Sequence, residues 1–174
     1  INAGAGAWTS ALCAVLAGAA VGALNGVLVA VLRIVPFIAT LGTMGAVRGI
    51  AKALGHEQPV DAPPLGLDRL TAATPDPAWL GLAPGVWLLL LLAAILAFVL
   101  RMTVFGVHTL AIGSSEATAR LCGVAVPRTK IVVYVLAGLL AGLAGVVLFG
   151  RLTVGDPTAA AGMELNVIGA VIIG

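Results

Sequence analysis

Few residues of this chain have the types and spacing that catalysis or metal binding needs. The two histidines, His56 and His108, lie in different polar loops and cannot form one site. Cys13 and Cys122 have no His or Cys neighbour at metal-ligand spacing, so we interpret both as small apolar fillers. The sequence has no phosphate loop with Gly-Lys-Ser/Thr and no paired carboxylates inside an apolar run. It therefore predicts a chain without a catalytic site, a metal or a cofactor, which does not itself hydrolyse ATP.

A second kind of candidate is a side chain able to contact a ligand within or beside a long apolar run, because an unpaired polar group in lipid is costly. These candidates are Asn25, Phe37, Thr40, Thr43, Glu164 and Asn166. A structural explanation stays open for the threonines, Asn25, Phe37 and Glu164. A threonine hydroxyl can bond the carbonyl one turn earlier, Asn25 can bond between helices, and Phe37 can serve packing alone. Glu164 can pair with Arg151 or Arg48.

The most informative polar segment is 111–124, which has the signals of one short helix. Ser114 or Ser115 is a good N-cap, and Glu116 then lies in the first turn, near the positive end of the helix dipole. Glu116 and Arg120 form an i, i+4 pair in the favourable order, and Gly123 suits the helix stop. The predicted helix covers 115–122, and its apolar side consists of Ala117, Leu121 and Val124. That side is either a handle for a partner protein or a face that rests on the membrane surface.

Composition indicates which elements must position these residues. The chain has 174 residues, of which 61% are hydrophobic and 9% are charged, whereas a soluble domain carries about 25% charged residues. A soluble enzyme would expose large apolar patches with this composition, and disorder requires low hydrophobicity. The net charge of +2 is too small and too scattered for nucleic-acid binding. The remaining class is an all-α polytopic transmembrane bundle.

Four apolar runs predict the membrane spans of this bundle. At 1.5 Å per residue, the 22-residue run 11–32 can cross a hydrocarbon core of about 30 Å. The predicted spans are 11–32, 37–54, 85–100 and 131–149. Residues 163–174 begin a further apolar segment. Because the chain starts without Met and stops inside that segment, we expect 1–174 to be a single transmembrane domain truncated at both ends.

The basic residues predict the orientation of the spans. The loop 55–84 contains Arg69 as its only Lys or Arg, whereas the loop 101–130 contains Arg101, Arg120, Arg128 and Lys130. Lys and Arg accumulate in cytoplasmic loops. We therefore expect 55–84 to be an external loop and 101–130 to be a cytoplasmic loop that carries the short helix.

Glycine spacing predicts how the spans pack. Gly18, Gly22 and Gly26 recur every four residues and share one helix face. Gly138 and Gly142 repeat this spacing, and Ala141 and Gly145 extend it. Small residues at such intervals allow helix backbones to approach closely in lipid. The pattern predicts close helix packing and carries no functional information.

Several motifs follow one another along nearly the whole chain. They are Asn25-Gly26 followed by Arg33, Pro36-Phe37-Ile38-Ala39-Thr40-Leu41-Gly42-Thr43 with Arg48-Gly49, Thr103-Val104-Phe105-Gly106, Ala111-Ile112-Gly113, Glu116-Ala117, Ala119-Arg120-Leu121, Gly138-Leu139 and Glu164-Leu165. On these motifs the sequence resembles ABC importer permeases of the sugar type, the ribose/xylose/galactose permease family, which serve binding-protein-dependent transport. The sequence departs from the family at Ser114-Ser115, where Gly-Asn is usual, and at Asn166, where Asp is usual. These departures bear on the identity of the solute and leave the family resemblance unchanged.

The resemblance implies a function and a set of partners. It implies a permease domain that translocates a sugar or a related small polar solute and is driven by a separate ATP-binding cassette ATPase subunit. The other implied partners are an extracytoplasmic solute-binding protein, a second permease chain, identical or different, and the lipid bilayer of the bacterial cytoplasmic (inner) membrane. The helix 115–122 would be the coupling helix. The implied coupling residues are Gly113, Ser115, Glu116, Ala117, Arg120, Leu121, Gly123 and Val124.

The alternative function is an ion- or proton-coupled secondary transporter or channel. Such a protein requires acidic or histidine side chains inside its spans, and Glu164, at the edge of a segment, is the only acidic candidate. For an importer, the solute stays open between a pentose, a hexose, inositol, a signalling sugar and a nucleoside. A pore for neutral sugars needs weak, dispersed polar contacts. The expected path is therefore formed by several residues, Asn25, Phe37, Thr40, Thr43, Glu164 and Asn166, without one dominant binding residue.

Overall fold

The described part of the chain is a set of helices with one short pair of strands. The computed structural model describes residues 6–55, 58, 60–61, 84–156, 158 and 161–173. In chain order the elements are α1 (Ala7–Ala30), α2 (Pro36–Leu54), β1 (Val60–Asp61), α3 (Pro84–Met102), α4 (Val104–Ser114), α5 (Glu116–Leu121), α6 (Val126–Leu152), β2 (Val154–Gly155) and α7 (Met163–Ile173). The expectation of an all-α fold is confirmed.

Four helices, α1, α2, α3 and α6, are long and apolar enough to cross a membrane. They correspond to the four predicted spans, but the structure extends three of them by two or more residues at one or both ends. The largest difference is in α6, which begins at Val126 rather than at Ile131. Pro127 lies in its first turn, where a proline nitrogen needs no hydrogen-bond partner. The charged residues Arg128 and Lys130 thus belong to the helix that they were expected to precede.

The segment 101–130 contains more helix than the sequence predicted. Besides the short helix α5, it contains α4. The eleven residues of α4 include His108 but no Asp, Glu, Lys or Arg. Apolar periodicity over so short a stretch does not distinguish a helix from a connection, so the sequence prediction assigned α4 to the loop. The connection between α3 and α6 is therefore two consecutive helices, with Ser115 between them.

The corner between α3 and α4 depends on Thr103 and Gly106. The Thr103 hydroxyl oxygen accepts from the backbone N–H of Gly106 at 3.4 Å, and the hydroxyl donates to the carbonyl of Val99 at 2.6 Å. A Cβ atom at Gly106 would collide with the backbone of Leu100. The Thr-x-x-Gly motif is thus explained by an N-cap followed by a close backbone approach.

Helices α1 and α6 pack along a glycine seam (Gly18, Gly22, Gly26, Gly138 and Gly142). A Cβ atom at Gly18 would collide with the carbonyl oxygen of Gly138, and one at Gly22 with that of Tyr134. A Cβ atom at Gly26 would lie 2.9 Å from the Cα of Ile131. The two helices are therefore antiparallel and touch backbone to backbone. The predicted glycine packing is confirmed for these five residues, but it is wrong for Gly145, where a Cβ atom would meet nothing within 4 Å.

The two strands join two connections at one end of the helices. Val60 pairs with Gly155, and Asp61 pairs with Val154, in antiparallel register. Beyond β2, Asp156 accepts hydrogen bonds of 2.7 Å from both the hydroxyl and the backbone N–H of Thr158. These bonds, helped by the charge of Lys52, hold the pKa of Asp156 below its usual value. Most of the predicted external loop 55–84, including Arg69, lies outside the described residues.

Candidate functional site

Helix α5 begins and ends with the caps that its sequence predicts. Ser115, rather than Ser114, is the N-cap, and its side-chain oxygen accepts from the N–H of Thr118 at 3.3 Å. At the other end Gly123 adopts a φ of 81°. Its N–H donates to the carbonyl of Arg120, and the N–H of Val124 donates to that of Ala119, both at 3.0 Å. These two bonds form a Schellman motif, which stops the helix and satisfies its last carbonyls.

Two ion pairs hold the carboxylate of Glu116. Arg120 Nη2 lies 2.8 Å from Glu116 Oε1, as the i, i+4 spacing predicts. Lys130 Nζ lies 2.7 Å from Glu116 Oε2, and this contact joins α5 to α6. The hydrogen bond from Lys130, followed by that from Arg120, lowers the pKa of Glu116 below its usual value. The short helix is therefore fixed to a membrane-spanning helix by a charged hydrogen bond.

The side chains of α5 and its flanks divide into a buried side and a free side. Ala119 is 3% exposed and is the buried residue of the helix, which contacts α6. Leu121 is 89% exposed, and Ala117 is also exposed. Val124, in contrast, is half-buried. Of the predicted apolar side, Ala117 and Leu121 are thus exposed within the described part of the chain.

Acid should loosen α5 from α6 through Glu116. Because the pKa of this carboxyl is lowered in the folded chain, the ion pairs contribute fully above its unfolded pKa and are lost as pH falls through the lowered value. A nitroxide attached to Cys122, in a Cys13→Ala background, reports the mobility of this helix. We expect the label to stay immobile from neutral pH down to about pH 4.5, the ordinary pKa of a glutamate, and to become more mobile as the pH falls further.

The Glu116→Gln variant is the control for this pH dependence. It should already show a mobile label at neutral pH and little further change in acid, because an amide has no charge to lose. Equal acid-induced mobilisation in both proteins would mean that another group controls the position of α5.

Three of the predicted path residues come together between α1 and α2. The hydroxyl of Thr43 donates to Asn25 Oδ1 at 2.7 Å, which is a bond between the two helices. The hydroxyl of Thr40 lies 3.0 Å from the carbonyl of Pro36, one turn earlier. Asn25, Thr40 and Thr43 line one cavity of about 380 Å³ together with Arg48.

The other predicted path residues lie apart from this cavity. Phe37 is 61% exposed and does not line it. Glu164 and Asn166 are in α7, where Glu164 is half-buried and Asn166 is exposed. The anticipated pairing of Glu164 with Arg151 or Arg48 is absent among the described residues. The described chain thus brings together three of the six candidates.

Sequence reasoning missed three residues that border cavities or fix α5. Arg48 lies two turns beyond Thr40 on the same face of α2, and this helical period was a usable signal. Tyr134 lines a cavity of about 560 Å³ beside the glycine seam, together with Asn25 and Thr40. Its neighbour one turn earlier, Lys130, pairs with Glu116, and no local spacing rule relates two residues so far apart in sequence.

Comparison with known proteins identifies the family. The family model described as branched-chain amino acid transport system / permease component matches residues 1–174. The L-arabinose ABC transporter permease protein AraH of Azospirillum brasilense is 41% identical over 160 residues, which are 92% of this chain and 46% of that protein. The ribose import permease protein RbsC of Escherichia coli K12 is 38% identical over 171 residues, covering 94% and 51%.

A third relative extends over the whole chain. The autoinducer 2 import system permease protein LsrC of Photorhabdus luminescens is 33% identical over 174 residues, covering 100% of this chain and 51% of that protein. The chain thus spans about half the length of the curated relatives it matches, and no solved structure matches it. The family description names amino acids, whereas these relatives carry the names of sugar and autoinducer systems. The chain belongs to this family of ABC importer permeases, with sugar-type permeases among its relatives, and is a multi-pass inner-membrane protein.

Proposed function

We propose that this chain is the membrane-embedded part of an ATP-driven importer that moves a sugar or a related small polar solute. ATP is hydrolysed by a separate ATP-binding cassette subunit, which docks on α5 at the cytoplasmic side. An extracytoplasmic solute-binding protein delivers the solute, and a second permease chain completes the pore. The proposal extends to the whole protein the activity that the relatives' names describe.

The observation that carries the proposal is the construction of α5. A helix of six residues is too short to be stable alone in water. Here it is capped at both ends, packed through Ala119 and tied by Glu116 to Lys130 of α6. It still leaves Leu121 almost fully exposed. A short helix that is stiff, anchored to a span and apolar on its free side can transmit the motion of an ATPase.

The positions of the connections support the orientation that this proposal requires. The antiparallel seam brings the end of α1, next to Arg33, to the start of α6, next to Arg128. The β1–β2 pair lies at the other end, where both connections are expected to be external. Basic turns at one end and a less basic connection at the other agree with the distribution of Lys and Arg in membrane proteins.

The lining of the cavity between α1 and α2 favours an oxygen-rich solute over an apolar one. Asn25, Thr40, Thr43 and Arg48 offer a carboxamide, two hydroxyls and a guanidinium. The guanidinium can donate hydrogen bonds to a polyol, and the carboxamide and the hydroxyls can also form hydrogen bonds with it. No carboxylate lines this described cavity, so the ammonium group of an amino acid would have no charged partner there. We therefore follow the sugar-type relatives rather than the amino acids in the family description.

Reconstitution of the full-length permease with its ATPase and binding protein tests the function. We expect uptake of radiolabelled L-arabinose or D-ribose into proteoliposomes only with ATP, and no uptake of L-leucine. Uptake of leucine alone would overturn the solute class. Uptake driven by a proton gradient without ATP would instead establish the secondary transporter.

A further inference from the structure

An apolar groove of about 470 Å³ lies between α3 and α6. Leucine, alanine and valine side chains from the two helices form its walls, and Arg151 is the one charged residue of this lining. None of the seam glycines lines it, so the groove is on a different face of α6 from the contact with α1. Each of the two helices is long and apolar enough to span a membrane, so the groove lies within the bilayer.

The groove is as long as one half of a bilayer core. Its lining extends along α3 from Gly85 to Leu96 and along α6 from Leu140 to Arg151. At 1.5 Å per residue each stretch rises about 16 Å, whereas a whole hydrocarbon core is about 30 Å thick. The groove begins next to the first residue of α3 and the last of α6, the helix ends that are expected to be external. It therefore covers the depth of the outer leaflet.

The groove is also narrower than a helix. A volume of about 470 Å³ spread over about 16 Å gives a mean cross-section of about 30 Å², which is a disc about 6 Å across. An α-helix with its side chains is about 10–12 Å across. A single hydrocarbon chain is thinner because it carries no side chains, and it has no polar group that apolar walls would leave unpaired.

Arg151 places a positive charge at the outer end of this groove. Its side chain is exposed, and it forms no ion pair among the residues that the structure describes. The planar guanidinium can hold a phosphate through two parallel N–H donors. A phosphate-binding group above an apolar slot one leaflet deep is complementary to a phospholipid, which has the same two parts in the same order.

From this shape and charge we propose that the groove binds one phospholipid of the outer leaflet. One acyl chain lies between α3 and α6, and the phosphate bonds Arg151. The lipid fills the space that the side chains leave between the two helices, and it stabilises the permease because it binds the folded state. The site requires the expected membrane orientation and goes beyond the proposed function, since it holds for any transported solute.

Photolabelling tests the site in the full-length permease assembled with its ATPase and purified in dodecylmaltoside. The probe is a phosphatidylglycerol with a diazirine on one acyl chain. Mass spectrometry of peptides locates the labels, and the measured quantity is the lipid concentration that gives half-maximal labelling. We expect labels within 85–96 and 140–151. Excess sn-glycerol 3-phosphate should leave them unchanged, because it has no acyl chain to bury.

Two pairs of variants separate the charge from the groove. Arg151→Gln should raise the half-maximal concentration about tenfold, the factor that loss of one charged hydrogen bond provides. Its matched control, Arg101→Gln, removes an exposed arginine at the opposite end of α3 and should stay within about twofold of the parent. Ala93→Phe fills the groove and should remove the labels. Ala94→Phe adds the same side chain at the next position, which does not line the groove, and should keep them.

Several results would overturn the lipid site. They are equal shifts in the two arginine variants, labels that persist in Ala93→Phe, displacement by sn-glycerol 3-phosphate, and a parent protein unlabelled in both stretches. In the last case, a lower melting temperature for Ala93→Phe than for Ala94→Phe would assign the groove to another segment of the full-length protein. If Arg151→Gln does not assemble, the alanine pair still decides the outcome.

Discussion

We expect the replacement of Leu121 by Asp to abolish ATP-driven uptake, while the permease still inserts into the membrane. Leu121 is 89% exposed, so the change removes no packing from the described chain. In the assembled importer, however, this side chain would enter a groove of the ATPase. An unpaired carboxylate placed there costs roughly 3 kcal/mol or more, which corresponds to at least about a hundredfold weaker docking. Uptake in proteoliposomes and co-purification of the ATPase measure the effect.

The matched control for this experiment is Leu121→Met, which keeps an apolar side chain of similar volume and should retain uptake. Insertion is followed by the yield of full-length permease in the membrane fraction, and it should be equal in both variants. Normal uptake by Leu121→Asp would remove α5 from the docking surface. Failure of Leu121→Asp to insert would show that this residue contributes to the membrane domain itself.

Replacing Gly138 by Ala should disrupt the packing of α1 on α6. The new Cβ would collide with the carbonyl oxygen of Gly18 and lie 3.0 Å from the Cα of Gly22. Both are backbone atoms, so neither can turn aside as a flexible side chain would. Overpacking costs about 1–3 kcal/mol in well-packed proteins, and we expect the midpoint of thermal unfolding in detergent to fall by roughly 5–10 °C.

Gly145→Ala provides the same chemical change on the same helix without the collision. A Cβ atom there meets nothing within 4 Å, and alanine is the better helix former. This variant should therefore melt at or slightly above the temperature of the parent protein. If the two variants melted together, the seam would not be a determinant of stability.

Features that depend on local chemistry were predictable from the sequence. The caps of α5 follow from the preference of Ser for an N-cap and of Gly for a left-handed backbone, and both Ser115 and Gly123 have these roles. The glycine seam followed from a four-residue spacing on two helices. The family resemblance and the all-α membrane class, which rested on motif order and composition, are confirmed.

Features that depend on contacts between distant segments were not predictable in this way. The Glu116–Lys130 pair forms because α5 folds back on α6, and neither residue has a sequence signal for the other. Helix α4 was missed because its eleven residues are too few to show a clear period. Gly145 follows Ala141 at the same four-residue interval, but a Cβ atom at Gly145 would meet nothing within 4 Å.

The seam also has a consequence for the order in which the protein is made. Helix α1 leaves the ribosome before its packing partner α6, which follows only after α2, α3, α4 and α5. During that interval the glycine face of α1 has no α6 to pack against. Contacts between segments so distant in the chain form slowly, and they leave intermediates exposed to misassembly. Biogenesis of this domain should therefore depend on whatever shields the glycine face of α1 until α6 is inserted.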